Sequence, residues 1–81
     1  SSFADLESLV IHDQHMIKIK DFVSTLPESL KTAFTLREAE GKSYEEISII
    51  TNTPIGTVRS RIFRARESII EYINTELLNN E

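Results

Sequence analysis

Four arginines, Arg59, Arg61, Arg64 and Arg66, fall within a single short stretch that contains no lysine and no acidic residue. A guanidinium is a planar fork of donors. It suits two-point contact with a phosphate or with the O6/N7 edge of guanine. Thr57, Ser60 and Phe63 interleave with these arginines, and no carboxylate stands four residues before or after Arg59, Arg61 or Arg64. A charge run on a helix is ordinarily a solvated flank. Here the exclusive use of Arg, the missing acidic partners and an aromatic among the charges all argue for nucleic-acid contact.

Which side chains share a face decides the chemistry. At 100° per residue, Val58, Ile62, Ala65, Ile69 and Ile73 form one apolar stripe that packs inward. Gly56, Ser60, Phe63 and Arg64 project from the opposite side, with Thr57 and Arg59 flanking them. Arg61 and Arg66 lie nearer the boundary with the stripe. An outward Phe63 is costly unless something covers it, and a thymine methyl or a sugar edge would do so. Gly56 in a first helical turn costs about 1 kcal/mol against Ala. Two readings stay open for it: close approach of backbone amides to a phosphate at the helix start, or simple relief of crowding beside Pro54.

The elements that must hold this face are legible around it. The stretch SYEEISIITNTPIGTVRSRIFRAR, from Ser43 to Arg66, reads as a short capped helix, a tight turn and a longer basic helix. That is a helix-turn-helix whose second helix enters the major groove. Ser43 and Glu46 form a capping box. Ile47 and Ile50 are expected inward, and Ser48 lets the two helices cross closely. Asn52 is a fit for the left-handed residue that ends the first helix. Thr51, Asn52 and Thr53 make the turn, with Thr53 expected as N-cap and Pro54 as first helical residue. The last helix is expected to run from Pro54 to Leu78, roughly 35 Å long at 1.5 Å per residue, ending at Asn79 and Asn80.

Upstream, Met16, Ile19, Val23 and Leu26 recur at helical spacing, predicting a helix from Asp13 to Leu26, started by His12 or Asp13 and stopped by Pro27. Pro27 is expected at the first position of a second helix. That helix carries Leu30, Ala33, Phe34 and Leu36 inward, and Gly41 ends it. Arg37 lies away from the Leu30 and Phe34 side and reads first as a solvated surface charge, with a phosphate contact as the lesser alternative. Residues 1–12, with Phe3, Leu6, Leu9 and Val10 in one stripe, form either a short helix or the tail of a linker, and residues 13–81 the domain. The start without Met predicts a piece of a longer protein.

The expectation is one small all-α domain of four helices. Its 81 residues leave no room for a second core, and a chain this short buries only about 60% of its unfolded surface. The net charge of −4 argues against nucleic acid until it is divided. Pro54–Arg66 carries +4, and subtracting that from −4 leaves −8 on the other 68 residues. A local patch still attracts phosphates over a Debye length of about 8–10 Å. The acidic remainder weakens free DNA binding, so a helping partner is expected. No cysteine is present, which excludes disulfides and thiolate metal sites and fits a cytoplasmic setting. His12 and His15 have no third ligand nearby, and no nucleophile–base arrangement or Gly-rich phosphate loop occurs. Hence no catalytic residue, metal or cofactor is assigned. No apolar run approaches the roughly 20 residues of a membrane span.

The pieces LPESL, TLREAEG, SYEEI and GTVRSRIFRAR, taken together, resemble region 4 of bacterial RNA polymerase sigma factors. The likeness is greatest to the extracytoplasmic-function class and to its sigma-E-like members. It covers about Asp13 to Ile70. Ser48 stands where Ala is commoner, and Lys42 where an apolar residue often sits. The resemblance implies recognition of the −35 promoter element while attached to RNA polymerase core through the β-flap, with an anti-sigma factor as a further partner. It implies DNA contacts by Arg37, Thr57, Arg59, Ser60, Phe63 and Arg64, with Arg66 on a phosphate. The segment that melts the −10 element is absent from this stretch. Two other readings remain: a response-regulator output domain, which shares an EI…TV pattern but not the RSRIFRAR continuation, and a pure protein-interaction module.

Overall fold

The computed structural model describes residues 14–78. The apolar stripe of residues 1–12, the start of the first helix at His12 or Asp13 and the stop at Asn79 and Asn80 lie outside them. Among the described residues the chain is four α-helices followed by one π-helical stretch, without strands. Helix α1 occupies residues 14–23 and is shorter than expected at its C-terminal end. There the Ser24 and Thr25 hydroxyls donate to the Asp21 and Phe22 carbonyls, and the Leu26 amide closes a tight turn on Val23. This turn drops Leu26 into the core.

Helix α2 spans Glu28–Glu38. Pro27 is its N-cap rather than its first residue: ψ is 143°, and its carbonyl accepts from the Lys31 amide. Gly41 is left-handed at φ 66°, as expected, but α2 ends earlier, at Glu38 with Ala39 as C-cap, and the Lys42 amide reaches back to Leu36. Helix α3, Tyr44–Thr51, opens with both halves of the capping box. The Glu46 amide donates to Ser43 Oγ at 3.0 Å, and the Ser43 amide to Glu46 Oε1 at 2.8 Å. Asn52 is left-handed at φ 52°. Thr51 belongs to the helix, so the turn is Asn52, Thr53 and Pro54. Ser48 braces it by donating to the Thr53 carbonyl at 2.6 Å.

Two expectations for this unit are corrected. Ile47 is fully buried, but Ile50 is 54% exposed, because α2 and α4 cover only one side of the eight-residue α3. Thr53 does not cap the last helix. Its hydroxyl bonds Thr51, and Pro54, at ψ 149°, is the N-cap without a side-chain bond.

Helix α4 spans Ile55–Tyr72, and Ile73–Leu78 continues it as a π-helix, so the long α-helix expected to reach Leu78 stops at Tyr72. Thr75 donates its hydroxyl to the Glu71 carbonyl, competing for the backbone acceptor an α-turn would use. Val58, Ile62, Ala65 and Ile69 are all buried, with Ile73 packed beside them. The stripe joins two clusters. Ala33, Ile47, Val58 and Ile62 form one, flanked by Leu36 and Tyr44. Leu26, Ala65 and Ile69 form the other, flanked by Phe22, Leu30 and Phe34 among others. The Phe22 and Tyr72 rings, stacked with centroids 4.5 Å apart, tie α1 to the end of α4.

Candidate nucleic-acid interface

With Val58 and Ile62 pinned inward, helical geometry forces Gly56, Ser60, Phe63 and Arg64 outward, and all four are exposed. Phe63 exposes 62% of its surface. Thr57 is half-buried beside them. One side of this face borders a groove of about 630 Å³, lined by Pro54, Gly56, Thr57, Ser60, Arg61 and Arg64 from the α4 side and by Ser29 and Leu30 of α2. Arg61, half-buried at that wall, belongs to the arginine run read from sequence but was not among the expected DNA contacts. Its position on the wheel, near the core boundary, concealed its access to the groove.

The start of α4 faces the same side. The Thr57 and Val58 amides both donate to the Pro54 carbonyl. No group among the described residues accepts from the Ile55 or Gly56 amide, and no acidic residue lies in the first turn. Free amides at the positive end of a helix dipole are an anion-binding arrangement. A Cβ built on Gly56 meets nothing within 4 Å, which removes the reading that Gly56 relieves crowding beside Pro54.

Arg37, Arg59 and Arg66 gather on the other flank, around Tyr44. The Arg37 guanidinium donates to the Lys42 carbonyl at 2.9 Å and lies 4.8 Å from the centre of the Tyr44 ring. That of Arg59 lies 5.5 Å from the same ring. Arg66 bonds Glu38 at 2.6 Å. Its pKa is raised, chiefly by that bond and with smaller help from Tyr44, so it stays charged throughout the accessible pH range. Arg37 is therefore not a free surface charge; it clamps the α2–α3 connection. Among the described residues no carboxylate comes within ion-pairing distance of Arg59, Arg61 or Arg64. Tyr44 is the residue that sequence reasoning did not single out. An aromatic at the first position of a capped helix carries no sign that arginines from two other segments converge on it.

Of the residues nominated from sequence, five thus share the outer face and the start of α4, and three meet at Tyr44. His15 is half-buried in α1, and His12 lies outside the described residues. No group of three His, Asp or Glu able to hold a metal occurs among the described residues, nor does a helix long and apolar enough to cross a membrane.

Comparison with known families matches residues 16–69 to "Sigma-70, region 4". The chain belongs to the sigma-70 region 4 family. Region 4 here is 51% identical over 63 residues to the RNA polymerase sigma-H factor of Pseudomonas aeruginosa, covering 78% of this chain and 33% of that protein. It is 67% identical over 49 residues to the ECF RNA polymerase sigma-E factor of Haemophilus influenzae, covering 60% of this chain and 26% of that one. The sigma-E factor of Escherichia coli (strain K12) matches at 51% over 63 residues, again 78% of this chain and 33% of the relative. The relatives identify it as region 4 of an ECF sigma factor. The chain spans about a third of the length of the curated relatives it matches.

Proposed function

We propose that this region 4 domain reads promoter DNA at the −35 element, by binding and not by catalysis, as part of an RNA polymerase holoenzyme. The observation that carries this reading is the outer face of α4: exposed Ser60, Phe63 and Arg64 beside an uncapped helix start, with no carboxylate paired to Arg59, Arg61 or Arg64 among the described residues. In the major groove Arg64 takes a guanine edge or phosphate, Ser60 a base edge, and Phe63 a thymine methyl. Thr57 and the Gly56 amide take backbone phosphates at the helix start. Arg37 and Arg59 meet phosphates along the other flank, and Arg66 joins them only by leaving its ion pair with Glu38.

The holoenzyme context follows from charge: thirteen acidic residues against nine basic ones leave the patch too weak to hold DNA alone. The β-flap of the core enzyme supplies the attachment. An anti-sigma factor that covers the same domain is the regulatory partner, and the bacterial cytoplasm is where it acts. The response-regulator alternative is disfavoured by the family match, and a pure interaction module leaves the arginine face unemployed.

The test uses the full sigma factor on core polymerase, with duplexes selected from a randomised pool. Arg64→Ala is expected to lose about 1–3 kcal/mol on the selected site and to relax base preference at one position. Unchanged discrimination between selected and scrambled duplexes removes Arg64 from the reading face.

A further inference from the structure

We propose that Tyr44 is a positioning residue for DNA binding: its ring is a shared platform that orients Arg59 of α4 and Arg37 of α2 toward one strand of the duplex. The proposal rests on the reading of α4 as the DNA-contacting helix. Tyr44 sits at the first position of α3, and one part of its ring packs on the cluster of Ala33, Ile47, Val58 and Ile62. The rest of the ring draws the Arg37 and Arg59 guanidinium groups, at 4.8 and 5.5 Å from its centre. Both distances lie within the roughly 6 Å over which a ring face attracts a cation.

The physical consequence is pre-organisation. An exposed arginine samples many rotamers and must give up that freedom to hold a phosphate. Arg59 has no carboxylate to hold it among the described residues, and the ring performs that office without neutralising its charge. Arg66, on the same flank of α4, shows the alternative: it is held by Glu38, which cancels the charge it would offer to DNA. A ring fixes a cation and leaves it available; a carboxylate fixes it and consumes it. Arg37 adds a second restraint, since its bond to the Lys42 carbonyl fixes the loop from which α3, and so Tyr44, begins.

The experiment again uses the full sigma factor bound to core polymerase, read as affinity across a salt series. Wild type must first prefer the selected duplex to a scrambled one; failure there overturns the promoter reading itself, whatever Tyr44 does. Given that preference, Tyr44→Leu, which keeps bulk against the core but removes the ring, is expected to bind about fivefold more weakly with a shallower salt slope. Tyr44→Phe is expected to stay within about twofold of wild type. Arg59→Ala is expected to cost less in the Tyr44→Leu background than alone, because the two changes remove one interaction. Additive losses, or a Tyr44→Leu protein that binds like wild type with the same salt slope, overturn the proposal. Should Tyr44→Leu lose its thermal transition, the wild-type protein decides by NMR. Side-chain protons of Arg59 displaced by the ring current in both the free and DNA-bound states support the platform, and their return to ordinary positions in the complex overturns it.

Discussion

The starts of α3 and α4 meet the same physical problem, a first turn of amides with no partner inside the helix, and handle it in opposite ways. At α3, Ser43 and Glu46 close the turn on itself, and Glu45 and Glu46 set negative charge against the dipole. At α4, Pro54 carries no capping side chain, no acidic residue follows, and Ile55 and Gly56 keep their amides unpartnered among the described residues. The two starts stand on either side of one short turn in one small domain, so the contrast is not a difference of environment. It is a difference of task. The closed start fixes the scaffold, and on the proposed DNA-binding reading the open one takes an anion from outside.

Changes at each start sharpen or break that contrast. The largest effect is expected from Val58→Asp, in the first turn of α4 but on its inner side. An unpaired carboxylate at a position only 1% exposed costs several kcal/mol, comparable to the whole stability of a domain this size. Loss of a cooperative melt by circular dichroism is the expected result; a native-like melt would show that the inward side of α4 is misassigned. Next comes Gly56→Glu. The added side chain has open space, replaces a poor helix former and complements the dipole, so stability is expected to rise by up to about 1 kcal/mol. DNA affinity is expected to fall more than tenfold, measured on the holoenzyme. If stability and binding move in the same direction, the open start is not reserved for an anion.

Ser43→Ala at the closed start reverses the pattern. It is expected to cost about 1 kcal/mol of stability while base preference stays intact, checked by paired melts and binding curves. The smallest effect concerns pH. The Ser43 amide holds the Glu46 carboxyl below its ordinary value of 4.5. A depressed carboxylate pKa stabilises the fold fully above the ordinary value, and that contribution disappears as pH falls through the lower, folded value. Wild type should therefore lose stability more steeply across that acid window than Glu46→Gln does. Parallel profiles would mean that the capping carboxylate is not linked to folding.

Much of the scaffold was legible because local chemistry dictates it. The Ser43–Glu46 box, left-handed Asn52 and Gly41, and the Val58–Ile62–Ala65–Ile69 stripe each follow from one residue type or one spacing. What escaped were properties of packing between segments. Ile50 is apolar and correctly spaced, yet exposed, because nothing among the described residues flanks α3 on that side. Pro27 and Pro54 are N-caps rather than first helical residues, a distinction of ψ that proline's fixed φ does not reveal. Gly56, Ser60, Phe63 and Arg64 were readable as one face from periodicity alone. The meeting of Arg37 and Tyr44 was not, since it depends on the path of the α2–α3 loop and on α4 bringing Arg59 to the same ring.

The two clusters along α4 also bear on how the domain fluctuates. The cluster of Ala33, Ile47, Val58 and Ile62 lies beneath the first turns of α4, whereas that of Leu26, Ala65 and Ile69 fastens α1 and the far end of α4. They meet on one helix, between Ile62 and Ala65. Opening of α1 and the π-helical end breaks only the second cluster, so the helix-turn-helix can stay closed while the periphery frays. Backbone amides around Val58 and Ile62, in the cluster that stays closed, are then the slowest to exchange with solvent, and the helix-turn-helix keeps its shape through excursions that loosen the rest.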